Sequence, residues 1–406
     1  MITRTIDEGG RSELSEGQRR RGLIVMLVDT FLMWGGFFIV IPLISVHYVQ
    51  DLGWDAGAIG LVLGARQLFQ QGLTLMGGAL ADKLGVRGLI AMGMFIRAAS
   101  FVMMGFANTF PLLLLSAILA ALGGALFDSP SSAAIAALTH IKERGRFYSI
   151  QGVVGGLGMT IGPLLGALLL HINFSFVAFV AAGFFVVAFF VALLLLPPVR
   201  VSSGDGGLMD GIKLALRDRR FVAYTIIMMG YWFMWVQITI SMPLMARAIS
   251  GTNDAVSWVY ALNSGMGIIL QYPVLRLAER YLAPSSTLIM GVIIMALGLI
   301  SIAFVGQITL MLVSVAVYAI GRLLASPSQQ TVAANLSNPA VLGSYFGVSS
   351  LALAIGGSLG NVTGGLLYEY GQRLQLPILP WFVSGTIGML CVAGLLWMRS
   401  RYHEQF

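Results

Sequence analysis

Charge is what this 406-residue sequence has least of: Asp, Glu, Lys and Arg together make up only 10% of it, against roughly 25% in an ordinary soluble domain. A water-soluble fold is thereby excluded. Histidine is scarce too, and the four present, His47, His140, His171 and His403, fall at loops or termini, too scattered for a metal site or a proton relay. The single cysteine, Cys391, permits neither an intrachain disulfide nor a Cys-based metal site. No paired His and acids, no Ser-His arrangement and no HExxH motif stands in the chain, so an intramembrane enzyme is not indicated. The sequence calls for no cofactor and no metal.

What remains is apolar: 57% of the residues are hydrophobic. A bilayer core about 30 Å thick needs roughly 20 apolar residues per helical crossing. Such runs stand near 22–46, 57–81, 88–107, 110–138, 147–171 and 175–197, then near 221–245, 255–277, 285–305, 308–336, 344–370 and 378–398. The expected architecture is an all-α membrane protein with twelve transmembrane helices in two six-helix bundles. The first run is no signal peptide, since it carries Asp29, lacks a small-residue cleavage site and follows a mixed-charge tail. The segments read as a tail over 1–21, a bundle over 22–197, a linker over 198–220, a second bundle over 221–398 and a tail over 399–406. The linker holds Gly204, Gly206, Gly207 and five basic residues.

With the N-terminus in the cytoplasm, 19 of the 24 Lys and Arg residues fall on that side, while the outer loops keep only Arg247 and Arg373. The positive-inside rule then puts both termini in the cytoplasm. The excess of 24 basic over 17 acidic residues therefore records topology rather than nucleic-acid binding. The halves also match each other: Leu80-Ala81-Asp82-Lys83 pairs with Leu277-Ala278-Glu279-Arg280, and Ser129-Pro130-Ser131 with Ser326-Pro327-Ser328. Gly158, Gly162 and Gly166 pair with Gly356, Gly360 and Gly364 at nearly the same offset. A duplicated six-helix unit suits a transporter whose halves rock about a central path, and favours that over a channel.

After the second crossing stands Gly78-Ala79-Leu80-Ala81-Asp82-Lys83-Leu84-Gly85-Val86-Arg87, a charged hairpin at a cytoplasmic helix end. It resembles the signature loop of the Major Facilitator Superfamily, with Lys83 for the commoner arginine and Val86 as a second departure. The resemblance implies that Asp82 sits near the N-terminus of helix 11, around Gly343 and Ser344, holding the cytoplasmic side closed. An anion at a helix N-terminus gains about 0.3–1 kcal/mol when exposed and up to about 2 when partly buried. The fifth crossing carries Gly158-Met159-Thr160-Ile161-Gly162-Pro163-Leu164-Leu165-Gly166-Ala167, a bare stripe that lets helices approach closely and a proline that bends it. This stripe resembles the antiporter motif of drug and proton exchangers, with Ala167 for a final glycine; read alone, it says only that helices pack there. Its counterpart, Gly356 to Gly365, lacks the proline and holds Asn361.

Over nearly the whole chain the sequence is similar to the twelve-helix drug:H+ antiporter branch of that superfamily. The runs Asp29 to Pro42-Leu43-Ile44, Arg66 to Gly72 and Phe127-Asp128-Ser129-Pro130 carry the closer part of the likeness. The resemblance implies a secondary active transporter, monomeric in a prokaryotic cytoplasmic membrane, that exports small apolar or cationic compounds in exchange for protons. A facilitator or proton symporter for one nutrient is the alternative. One departure weakens proton coupling: helix 4 has no arginine before Gly123, where many proton antiporters carry one.

Charges at membrane depth cost at least about 2.5–3.5 kcal/mol, which makes Asp29, Arg66, Arg97, Asp128 and Arg322 functional candidates. At 1.5 Å per residue, Asp29, Arg97 and Asp128 lie roughly 10, 13 and 16 Å from the cytoplasmic helix ends, and are expected to meet. Two acids and one arginine leave one acid without a countercharge, as a proton carrier requires. Asp128 ranks ahead of Asp29, being deeper, beside Pro130 and opposite Ala325 in the repeat. Arg66, with Gln67, Gln70 and Gln71, forms a polar strip nearer the midplane. Arg322 either lines the cavity or snorkels, and Glu369 reads as solvated. On helix 7, Tyr224, Met228, Tyr231 and Trp235 share one face, suited to apolar or cationic compounds or simply to packing; Trp34 and Phe38 are positioned to face them.

Overall fold

The computed structural model describes residues 15–139, 144–198, 208–338 and 341–402; the side chains of 75–84, 129, 136, 144–146, 149 and 208–209 lie outside the description. Hydrocarbon offers backbone groups no hydrogen bonds, so each crossing must satisfy its own, and the described residues contain helices and no strand. The first half consists of α1 (Glu16–Ser45), α2 (Ala56–Leu84), α3 (Val86–Gly105), α4 (Phe110–Leu138), α5 (Arg144–Leu170) and α6 (Phe174–Leu195). A short amphipathic helix, α7 (Leu208–Arg217), precedes the second half. There, α8 (Arg219–Trp235) and α9 (Ser241–Ser250) make one broken crossing, followed by α10 (Asp254–Tyr281), α11 (Pro284–Ile302) and α12 (Ile308–Leu336). Helices α13 (Leu342–Ala352) and α14 (Ser358–Arg373) share the eleventh crossing, and α15 (Leu379–Arg401) closes the chain. Ten of the crossings are apolar enough by composition to span a membrane among the described residues. The other two are α2, which runs through undescribed side chains, and α10, which carries Asn263, Ser264 and Gln271.

The differences from the apolar runs have local causes. Helix α1 begins six residues before the expected 22 because Ser15 and Gln18 form a capping box, each side chain bonded to the other's backbone N–H. Asp218 caps α8 in the same way, accepting from the N–H groups of Arg220 and Phe221; α7 and this cap thus order part of the expected linker. Two stretches are π-helical: Val46–Asp51 extends the first crossing past the expected 46, and Leu353–Gly357, between α13 and α14, interrupts a run that read as continuous over 344–370.

The duplication is visible in packing. A Cβ added to Gly158 or Gly162 would lie 2.8 Å from the backbone of Gly35, so α5 rests directly on α1. In the second half Gly356 and Gly360 meet the backbone of Met229 and Phe233, so helix 11 rests on α8 in the same manner. Between halves, α2 packs on α14 and α5 on α10. These contacts are tight on the face away from the chain termini: an added Cβ at Gly60 would sit 2.5 Å from the Asn361 carbonyl, and at Gly64 2.9 Å from that of Ser358. Further along the same helices, toward the terminal face, a Cβ at Gly72 of α2 or Gly152 of α5 would meet nothing within 4 Å. Among the described residues the halves are therefore joined at the far face, while Gly72 and Gly152, nearer the terminal face, stand against open space.

Replacing Gly162 by leucine would force α5 off α1, since even the first carbon meets Gly35 O at 2.8 Å and Phe38 C at 3.0 Å. Overpacking of this kind costs about 1–3 kcal/mol, so Gly162→Leu protein should insert yet unfold several degrees lower in detergent. An unchanged unfolding midpoint would mean the stripe is not the close contact described.

Candidate functional site

In the first half the polar groups assemble along α2, α3 and α4. The Arg66 guanidinium donates to Gln70 Oε1 at 2.8 Å and Gln67 Oε1 at 3.1 Å, and Gln70 Nε2 donates onward to Asp128 Oδ2 at 3.0 Å. Arg97, 1% exposed, donates through Nε to the Ala120 carbonyl at 3.3 Å. Both guanidiniums lie over the Phe37 ring, at 4.9 and 5.3 Å from its centroid, and Arg97 also lies over Phe185. Arg97 reaches this place from α3 because Gly123 and Gly124 leave α4 bare: a Cβ on Gly124 would collide with its Nη2 and lie 2.9 Å from the Gln70 amide. Asp128 is half-buried, with a donor on one oxygen.

Asp29 is elsewhere. It is 0% exposed, and among the described residues neither carboxylate oxygen has a hydrogen-bond partner. The expected meeting of Asp29 with Arg97 and Asp128 does not occur: two of the three converge, joined by Gln70 and Arg66, while Asp29 stays alone on α1. Beside it, the Thr30 hydroxyl donates to the Met26 carbonyl and accepts from Gln151 of α5.

The helix 7 face is also redirected. Tyr224, Met228 and Tyr231 are at most 1% exposed; they pack inside the second bundle, with the Tyr224 hydroxyl bonded to the Gln329 carbonyl at 2.6 Å. Trp235 is half-buried, its carbonyl accepting from Tyr318. One residue round the helix stands Trp232, half-buried like Trp235. With Gln329, Gln330, Ala333, Phe346, Ser349, Ser350 and Leu353, it lines a cavity of about 320 Å³ in the terminal half of the second bundle. Trp34 and Phe38 stack on each other at 5.8 Å and face Gly155 of α5 and Tyr260 of α10 rather than helix 7. Arg322, half-buried, donates to the Asn263 carbonyl at 3.2 Å.

Of the signature loop, Gly78, Asp82 and Lys83 lie outside the described side chains. Gly85 adopts φ +76°, the left-handed turn that glycine takes without strain, and Arg87 donates to the Leu193 carbonyl of α6, within its own half. Among the stripe residues, Gly158, Gly162 and Gly166 all face α1, whereas the Pro163 carbonyl accepts from Ser257 of α10 at 2.7 Å, across the halves.

The far face holds a clasp that the sequence reading missed. Arg247 pairs with Asp51 at 2.5 Å, and Gln50 donates to the Leu244 carbonyl. Arg373 pairs with Asp55 at 3.5 Å and with Glu369 at 2.5 Å; Glu369, expected to be solvated, also accepts from the Gly57 N–H at the start of α2. Both basic residues of the outer loops are thus bound to acids of the other half. The signal was present in the sequence: on a face with only two cations, Asp51 and Asp55 stand in the first outer loop of the other half, and Glu369 lies one turn before Arg373.

A family model described as Major Facilitator Superfamily matches residues 26–360 and again 221–405. The chain is 40% identical over 383 residues to the "Multidrug resistance protein MdtH" of Yersinia pestis (strain Pestoides F), covering 94% of this chain and 96% of that one. Among solved structures it resembles the nucleoside transporter NupG, with TM-score 0.77 and 16% identity over 94% of this chain and 98% of that one. It also resembles a bacterial homolog of the human lysosomal transporter Spinster in an inward-facing, occupied conformation, with TM-score 0.79 and 14% identity over 97% and 98% of the two chains. At those identities the two structures show the fold alone.

The clasp makes a measurable claim. An ion pair of this exposure contributes up to about 1 kcal/mol, a several-fold change in a population ratio. The Arg247→Gln, Asp51→Asn double variant should therefore raise the fraction of molecules with a parted far face. Spin labels on Leu52→Cys and Thr252→Cys would read it, and the one native cysteine, Cys391, is buried. An identical distance distribution in the variant would show that the clasp does not hold the halves.

Proposed function

Since this chain belongs to the Major Facilitator Superfamily, and is a transporter rather than an enzyme, we propose that it exports small molecules across a prokaryotic cytoplasmic membrane by alternating access, in exchange for protons. The observation that carries this reading is the uneven contact between halves, closed by glycines and ion pairs at the far face and parted toward the terminal face. Such an arrangement is one end of a rocking cycle. The terminal face is the cytoplasmic one in this reading, supported by the 19 Lys and Arg residues assigned to it. Residues 22–197 and 221–398 are the moving bodies, with α1 extending six residues into the tail and 198–220 as their connection. One chain suffices, since the cavity is lined from within it. Export is favoured by the glycine-proline stripe and by the likeness to a protein named for multidrug resistance.

Trp232 and Phe346 on the cavity wall suit apolar and aromatic bodies. No acid is among the cavity's lining residues, so the expectation of cationic compounds draws support only from Asp128, across in the other half. For the proton, the order of the two acids reverses. Asp128 has an amide donor and two guanidiniums nearby to stabilise its charge. Asp29 has no partner, and a buried charge without one is costly, so a proton is what relieves it. The bound proton leaves when the site meets water on the other side.

In proteoliposomes with an imposed pH gradient, Asp29→Asn should lose gradient-driven transport at least about tenfold, yet retain passive exchange of substrate. Asp128→Asn should lose less, because the new amide can still accept from Gln70. The opposite pattern, with Asp29→Asn active and Asp128→Asn dead, restores Asp128 as the carrier; full activity of both removes proton exchange through these acids.

A further inference from the structure

The second bundle holds a cation that no acid among the described residues neutralises. Arg322 stands midway along α12 (Ile308–Leu336), roughly 21 Å from either end at 1.5 Å per residue, too deep to snorkel. Among the described residues it has no ion pair; its Nη2 donates to a backbone carbonyl, that of Asn263, and its Nε is buried without a partner. The groups around it are neutral: the Tyr231 hydroxyl, itself bonded to Ser326, and Tyr318. Asn263 and Gly267, one turn apart on α10, present one face to it. The Asn263 side chain is 3% exposed with its Oδ1 unpartnered, and a Cβ on Gly267 would lie 3.3 Å from Nη2. The first bundle differs, because there Arg66 and Arg97 share Phe37 and the neighbouring Asp128.

Arg322 is also placed to meet a ligand. Arg322, Ser326, Gln329 and Ala333 recur at helical spacing along one face of α12, and Gln329, Gln330 and Ala333 line the cavity. The guanidinium is not itself among the lining residues but stands two turns deeper than Gln329 on that face, beyond the wall that holds Trp232 and Phe346. A volume of about 320 Å³ is at the small end of the range for ligand pockets. We propose that Arg322, beside Asn263 and Gly267, is a subsite for the carboxylate of an organic acid whose aromatic body lies against Trp232 and Phe346. The inference rests on the export reading for its purpose, and names the substrate class of that same cavity. A guanidinium matches a carboxylate with two parallel N–H donors, and Arg322 is half-buried, so part of it stays accessible.

The test compares naphthoate, its uncharged methyl ester and naphthylmethylamine, by equilibrium binding to purified full-length protein in detergent. Wild type should bind naphthoate about tenfold or more tighter than the ester, the scale of one charge-assisted hydrogen bond, and should bind the amine least. Arg322→Gln should erase the preference while leaving the ester's affinity unchanged, and Arg322→Lys should keep part of it. Gly267→Val retains the charge but crowds the guanidinium, so it should weaken naphthoate and spare the ester; this variant decides the matter where Arg322→Gln loses all binding. No preference in wild type, or a preference that survives Arg322→Gln, overturns the subsite. Binding is read without a gradient, so the two readings fail separately: an Arg322-dependent preference in a protein whose vesicles move neither acid nor ester out would leave the subsite standing and the export reading fallen.

Discussion

Lipid tails are as apolar as leucine, so two helices in a bilayer gain little from hiding apolar surface against each other and hold together by the depth of their contact. In this protein that depth comes from glycine. Gly158 and Gly162 let α5 touch the backbone of α1, and Gly356 and Gly360 let helix 11 touch that of α8. The same device joins the halves, where Gly60 and Gly64 of α2 meet Asn361 and Ser358. The two kinds of contact differ in what accompanies them. Inside a half, the glycine stripe is surrounded by packed side chains of the same bundle, whereas between halves it is flanked by ion pairs at one face and gives way to open space at Gly72 and Gly152 toward the other. The seam between halves follows from where the glycine contacts stop, not from where the glycines do.

The charges obey a second constraint, since each must find a partner or be used. Helix 4 lacks the arginine that similar proton antiporters carry, yet a guanidinium is present against it: Arg97 arrives from α3 through the gap left by Gly123 and Gly124. That charge comes from a neighbouring helix, and Arg97 and Arg66 share one phenylalanine ring and the neighbourhood of one acid. No such arrangement attends Arg322 in the second half. The duplication copied the helices and not their electrostatics.

Crossings were legible because a bilayer imposes a length on apolar runs; the boundaries of α4 and α12 agree with the sequence to the residue. Interruptions were not, since nothing in Leu353–Gly357 or Val46–Asp51 distinguishes a π-helical turn from an α-helical one until neighbours are known. Periodicity identified the face bearing Tyr224, Met228 and Tyr231, but periodicity cannot say what a face meets, and this one meets the interior of its own bundle while Trp232 takes the cavity. Depth along a helix likewise put Asp29, Arg97 and Asp128 at similar levels without fixing their azimuth, and azimuth decides who pairs with whom. The far-face clasp escaped for the opposite reason: its residues lie at helix ends, where charge is cheap and solvation is the ordinary expectation.

Azimuth also relates the lone acid to the seam. Helix α1 carries Asp29 and, one residue on, Thr30, whose hydroxyl is held by Gln151 of α5; about one and a half turns further on, Gly35 receives the α5 stripe. Helix α5 in turn carries Pro163, whose carbonyl is held by Ser257 of α10 in the other half. Glycine contacts without intervening side chains leave little room for α1 to shift unless α5 shifts with it, because close-packed interfaces move as units. An acid on α1 and a seam on α5 are then mechanically adjacent although no atom of Asp29 reaches the second bundle. In the proposed cycle, a carboxyl on the helix that the stripe grips would let a change of charge in one half bear on the contact between the two.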